Sequence, residues 1–153
     1  VLFNTNVNIT DNTPQTLHLT DTAANMKSVL VKNNIVGIAD GMCRFNFLHL
    51  MPNVPAVDLY LNGVLMKANI PYLGNSGAMD IPVGINAPGF VSGTSTTWAI
   101  RTAGAASTTA ALVSYASANG LQSGVALTGF SMGYATATGA RLPYLAYTLD
   151  RNQ

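Results

Sequence analysis

Residues 44–63, Arg44 to Gly63, read RFNFLHLMPNVPAVDLYLNG. Phe45 and Phe47 alternate with Asn46, the start of a strand. Pro52 and Pro55 then exclude a helix and a centrally paired strand, so the chain must turn a corner there. Val57, Leu59 and Leu61 alternate with Asp58, Tyr60 and Asn62, which is the period of a half-buried strand. Asn62-Gly63 followed by Val64-Leu65-Met66 predicts a hairpin, because a type I′ turn needs positive φ at both central residues. Strand, corner, strand and hairpin together set the fold class as β.

The same grammar extends in both directions. Residues 1–10, VLFNTNVNIT, alternate cleanly, with Val1, Phe3, Thr5, Val7 and Ile9 on one face, and predict a long strand. Short strands are expected at 16–20, 28–36, 64–68, 79–83, 96–102, 125–134 and 142–149. Residues 103–119 are ambiguous: the alanines tolerate a helix, but Thr108, Thr109, Val113 and Tyr115 favour a strand over 109–117. Turn clusters rich in Gly, Pro and Asn separate these segments. The expectation is an all-β, antiparallel sandwich of Greek-key or jelly-roll type with an additional N-terminal strand. A chain of 153 residues suits one core. Residues 1–40 are assigned to an N-terminal strand extension and 41–153 to the sandwich.

The central stretch resembles a bacterial and archaeal surface-domain family catalogued as domain of unknown function 4397. The resemblance is carried by Arg44, Pro52, Pro55-Ala56-Val57-Asp58, Tyr60 and Asn62-Gly63. Tyr72, Ser76 and Ile81-Pro82-Val83-Gly84 resemble the family's next loop and strand. Ser123-Gly124, Thr128 and Gly133 resemble a late strand, with Ala126 where an aromatic is expected. The likeness covers 42–150 and leaves 1–40 outside. It implies an immunoglobulin-like β-sandwich in a secreted or surface-anchored protein, and it implies no catalytic residues.

Composition narrows the function. Charged residues make up 8% of the chain, with no Glu, against about 25% in typical soluble domains. Charge keeps ordinary cytosolic monomers apart. Its scarcity fits an extracellular protein, or a subunit whose faces are covered by its neighbours. The net charge of +1 offers no footprint for nucleic acid. No apolar run reaches the roughly 18 residues of a membrane-spanning helix. Cys43 stands alone, so no intrachain disulfide is possible; it reads as a small buried hydrophobe. Beginning at Val1 without a signal peptide, the chain is expected to be a processed mature form or a trimmed one.

Candidate chemistry is sparse. Gly129-Phe130-Ser131-Met132-Gly133 matches the Gly-x-Ser-x-Gly pattern of hydrolases, but no helix follows, and His18 and His49 both lie upstream. These two histidines sit between leucines and lack a third ligand at metal-binding spacing, so no metal, cofactor or catalytic residue is assigned. The six aspartates are scattered. Asp58 is read as structural, either accepting loop N–H groups or pairing with Arg44. Tyr60, Tyr72, Trp98, Tyr115, Tyr134, Tyr144 and Tyr147 either pack the core or line a glycan-binding face. Asn8-Ile9-Thr10 fits a glycosylation sequon.

The N-terminal strand is the best functional clue. A long uncharged strand with one apolar face either pairs within its own sheet or adds to a neighbouring subunit. Donated head to tail, it would not close and a filament would grow. The expected protein is therefore a non-enzymatic extracellular or cell-surface subunit that polymerises with copies of itself. The alternative is a monomeric adhesin or glycan-binding module.

Overall fold

A computed structural model of the protein describes residues 3–9, 12, 14–83, 95–117 and 121–151. Its strands are β1 (Gln15–Thr20), β2 (Lys27–Lys32), β3 (Met42–His49), β4 (Ala56–Leu61), β5 (Val64–Pro71), β6 (Met79–Pro82), β7 (Thr96–Thr102), β8 (Val113–Ser117), β9 (Ala126–Met132) and β10 (Tyr144–Arg151). Two four-stranded sheets, ordered β10-β9-β3-β6 and β5-β4-β7-β8, pack as a sandwich, and β1-β2 form a separate hairpin. The described residues form no α-helix, so the ambiguous stretch before β8 resolves to turns closed by the Ala105 and Thr109 N–H groups on the Thr102 and Ala106 carbonyls, and the strand expected from 109 begins only at Val113.

The opening stretch does what its pattern demands. β3 lies in one sheet and β4 in the other, with the proline corner carrying the chain between them. Met51 and Val54 plug the corner into the core, and the Pro55 carbonyl accepts the Tyr72 N–H at 2.9 Å. The Asn53 side chain acts as a surrogate peptide: its Nδ2 donates to the Ala135 carbonyl at 3.0 Å and its Oδ1 accepts the Ala135 N–H at 2.9 Å. Asn62 and Gly63 have φ of 48° and 80°, the two positive values a type I′ turn requires. Asn62 Oδ1 also accepts the Thr97 N–H at 2.8 Å, binding the turn to β7.

Phe45 stacks on Trp98 at the centre of the sandwich, with ring centroids 4.0 Å apart and planes 14° from parallel. Leu59 and Ile100, paired in register across β4 and β7, are fully buried. Each such side chain contributes roughly 1.5–3 kcal/mol by leaving water. On β9, Gly129 gives the aromatic pair room. A Cβ there would stand 2.5 Å from Phe45 Cζ and 3.3 Å from Phe47 Cδ2.

The fold departs from expectation in two places, the direction of one strand pair and the first ten residues. Among the described residues all strand pairings are antiparallel except β3 with β9, which run parallel, because the chain crosses between the sheets before β9 docks beside β3. Before residue 41, the strands expected at 16–20 and 28–36 form as β1 and β2, the second ending at Lys32. The β1-β2 hairpin lies on the outer face of the β3-β9 sheet, where Val31 packs with Leu48 and Leu50 against Phe130 and Met132. The Thr20 hydroxyl donates to the Leu50 carbonyl at 2.7 Å, and His18 meets the Phe130 ring at 5.4 Å. Of the long strand expected over 1–10, the described residues, 3–9, join no sheet, since a strand exists only by pairing and no described edge takes them; residues 1, 2 and 10 lie outside the described residues.

The hairpin should therefore unfold with the sandwich rather than before it. Leu48→Ala, which removes a fully buried side chain from the layer between them, is expected to cost about 2–5 kcal/mol in urea unfolding, in a single transition. An unchanged midpoint would mean that the hairpin does not cover that face.

Candidate functional site

The polar side chains of the central stretch are structural in geometry. Asp58 is 4% exposed in mid-strand, and both carboxylate oxygens are taken: Oδ1 accepts the Asn69 N–H at 2.7 Å and Oδ2 the Gly104 N–H at 2.9 Å. It thus ties β5 and the β7–β8 turn to β4; a hydrogen bond to a charged acceptor contributes about 1.5–3 kcal/mol. Arg44 does not pair with Asp58, which lies in the other sheet. Its partner is Asp80 on the adjacent β6, held at 2.6 and 2.8 Å in a two-pronged contact. That contact keeps the Asp80 carboxyl below the usual aspartate range. Arg44 also donates to the Val36 carbonyl at 2.6 Å, fixing the approach to β3.

Folding brings together two groups that the sequence kept far apart. His49 Nδ1 lies 3.3 Å from Ser131 Oγ, across the parallel β3-β9 pair, and His49 Nε2 lies 2.8 Å from the Val54 carbonyl. If Nε2 carries the proton, as a carbonyl partner requires, Nδ1 accepts from the serine hydroxyl. This is the contact of a nucleophile with its base. Yet both residues are 0% exposed, and neither lines any of the described cavities. The glycines of the motif have packing reasons of their own. Gly129 makes room for Phe45, and Gly133 has φ of 86° at a position where a Cβ would run into the Leu142 carbonyl. The trio Ser131, His49 and Val54 is a buried polar clamp joining β9, β3 and the proline corner.

The remaining polar candidates are occupied similarly. Among the described residues no three His, Cys, Asp or Glu side chains converge as a metal site. Cys43 is fully buried, and burial pushes its thiol up to about 11. Asp150 accepts from Asn33 Nδ2 at 3.0 Å and from the Thr128 hydroxyl at 2.5 Å, tying the hairpin to β9 and β10. A polar cleft of about 230 Å³ beside it, lined by Asn33, Asn34, Arg44 and Asn46, is smaller than the roughly 300–1,000 Å³ of small-molecule sites. Of the seven aromatics named above, Trp98 and Tyr60 are buried, the latter under the Arg101 guanidinium at 4.4 Å. The Tyr134 hydroxyl donates to Asp21 at 2.5 Å. Only Tyr144 and Tyr147 of these seven are exposed, and both lie on β10.

What stands out instead is an unpaired segment and an open seam. Residues 3–9 carry no charge, join no sheet, and leave Ile9 82% exposed. Val1 of the predicted apolar face lies outside the described residues; Phe3 and Val7 are half-buried, and Thr5 is exposed. At the sandwich's side, β10 and β8 end their respective sheets. They touch where Tyr147 meets Tyr115 edge-on, with centroids 5.9 Å apart. Beyond that contact the seam holds a cavity of about 250 Å³ over Phe45, Trp98, Leu127 and Leu149. Sequence reading placed a strand at 142–149 but not at an edge. The signal was there in LPYLAYTL, which carries large apolar side chains at both parities and no charge.

A scan against protein-family models and a search of curated proteins return no match to this chain. The resemblance to the surface-domain family therefore rests on its motif residues, whose positions are those described above. No helix among the described residues is long and apolar enough to cross a membrane.

The buried histidines make stability depend on pH. Burial holds His49 below the usual histidine range, partly offset by its bond to the Val54 carbonyl, and it lowers His18 likewise, partly offset by Asp150. In the unfolded chain both titrate near 6.5. Between that value and the lower native one, the unfolded state binds more protons, so stability is complete above about pH 6.5 and falls as pH drops below it. Urea midpoints are expected to fall between about pH 7 and pH 5, with a shallower fall in His49→Gln. A flat wild-type profile would contradict the neutral buried state.

Proposed function

We propose that the protein is a non-enzymatic structural subunit of the cell exterior that assembles with copies of itself by β-strand addition through residues 1–10. The observation that carries this reading is the unpaired, uncharged segment 3–9, with Ile9 82% exposed, in a chain whose other described apolar strands all find partners. An alternating strand gains affinity from main-chain hydrogen bonds and specificity from side chains that enter pockets on the acceptor. A contact made head to tail does not close, so it yields a fibre rather than a ring.

Three further features support it. Few charges are present to hold copies apart. The Ser131–His49 pair is sealed from solvent, which argues for a structural rather than a hydrolytic role. The exposed aromatics, Tyr144 and Tyr147, follow one sheet edge and offer strand pairing more readily than a sugar platform, so the glycan-binding alternative ranks second. The proposal includes the immunoglobulin-like class and membership of the surface-domain family, supported by the structural work of Arg44, Pro52, Pro55, Asp58, Asn62 and Gly63.

Deletion of residues 1–10 tests the reading. The shortened chain is expected to keep its β circular-dichroism spectrum and to scatter light as a monomer, while the full chain forms larger species. Undiminished assembly of the shortened chain would overturn strand donation.

A further inference from the structure

Strand donation requires an acceptor, and the free edges of this molecule differ in what they offer. Natural sheet edges are blunted by charge, proline, bulges or brevity. β6 has four residues, including Asp80 and Pro82. β5 carries Lys67 and Pro71, its pairing with β4 is irregular, and Asn69 has φ of 54°. β2 carries Lys27 and Lys32. β10 and β8 are protected least along their length: Tyr144–Leu149 and Val113–Ser117 hold no charge and no proline, and the charges of β10, Asp150 and Arg151, stand with its register shift at the C-terminal end.

The seam between them is also incomplete. Leu145, Tyr147 and Leu149 share one face of β10, turned toward the other sheet, where their in-register neighbours on β9 are Ser131, Gly129 and Leu127. Exposure along that face climbs from 8% at Leu145 to 40% at Tyr147 and 55% at Leu149. Leu127, one strand further in, is half-exposed as well. The sandwich is thus closed at one end of β10 and open at the other, over the cavity of about 250 Å³. That volume falls below the roughly 300–1,000 Å³ of small-molecule sites and suits one or two apolar side chains. Its lining residues, Phe45, Thr96, Trp98, Leu127, Tyr147 and Leu149 among them, are uncharged, as is the whole of 1–10. No charge lines the cavity or the donated face, so none has to be stripped of water there; Asp150 of β10 is already held by Asn33 and Thr128 on the hairpin side.

We propose that this seam is the acceptor, and that residues 3–9 of a second copy lie along β10 with their apolar face, Phe3, Val7 and Ile9, turned toward the seam, so that one or two of these side chains enter the cavity over Leu127 and Leu149. The inference rests on strand donation being correct. Residues 3–9 and Tyr144–Asp150 are equally long, so one segment can run the length of the other. Covering Leu149, Tyr147 and Leu127 would complete the core that the isolated chain leaves open. β1 is an uncharged edge away from the seam, and Leu17, 41% exposed on the outer face of its hairpin, provides the control.

The test uses the full chain, with light scattering to read assembly and circular dichroism to read the fold. Leu149→Lys and Val7→Asp are each expected to abolish assembly of a folded chain, and Leu17→Lys to leave it at the wild-type level. Chains bearing Phe3→Cys, Val7→Cys or Ile9→Cys, mixed in turn with Leu149→Cys under mild oxidation, are expected to give a mixed disulfide from at least one mixture; native Cys43 is buried and does not compete. If Val7→Asp abolishes assembly but Leu149→Lys does not, or Leu17→Lys does so equally, or no mixed disulfide forms, the seam is not the acceptor although donation stands. A monomeric wild type, or full assembly of Val7→Asp, removes donation and the seam together.

Discussion

One strand must be covered on both faces, and the rest of the architecture answers that need. β3 begins by alternating, with Phe45 and Phe47 turned into the sandwich, and then runs on without a polar outer face: Leu48 and Leu50 are as fully buried as Phe47. The inner residues stack against the second sheet through Trp98. The outer ones need a separate lid, which the β1-β2 hairpin supplies through Val31 and Val29. A strand apolar on both sides costs several kcal/mol if either face is left wet. The β1-β2 hairpin is therefore part of the same cooperative body, held by apolar contact and by the bonds of Thr20 and Asn33 at its two ends.

Charge is spent sparingly, and several of the charged side chains do structural work. Asp58 ties β5 and the β7–β8 turn to β4, Asp80 and Arg44 join β6 to β3, Asp150 ties the hairpin to the last two strands, and Arg101 covers Tyr60. The edges β8 and β10 consequently receive no charged protection along their centres. In a freely diffusing monomer such an edge is an aggregation hazard; in a subunit that grows by accepting a strand, it is the place of growth. The unpaired N-terminal segment has the complementary character, uncharged and alternating.

Much of this was legible in the sequence where the signal is local. The period-2 alternation placed the strands, and Asn62-Gly63 named its turn because two positive φ values leave few other residue choices. Asp58 announced a structural role as an acid in mid-strand. What the sequence could not show is which segments, distant along the chain, come together. Arg44 pairs with Asp80 instead of Asp58 because β6, and not β4, lies beside β3. His49 meets Ser131 because β3 and β9 run parallel, a pairing with no local signature. The seam over Leu127 and Leu149 follows from strand order as well, since LPYLAYTL reads alike at an edge or in the middle. The alternation over 1–10 is a strand pattern, yet its described residues 3–9 form no strand in this chain, because pattern alone does not supply a partner.

The central claim is that residues 3–9 become a strand only in the sheet of another copy. Amide hydrogen exchange, followed by mass spectrometry on the N-terminal peptide in dilute monomer and in assembled material, reads this directly. The account predicts rapid exchange of residues 3–9 in the monomer and strong protection in the assembly, because each amide then donates to a neighbour's backbone. Equally rapid exchange in both states, or protection already complete in the monomer, would contradict it.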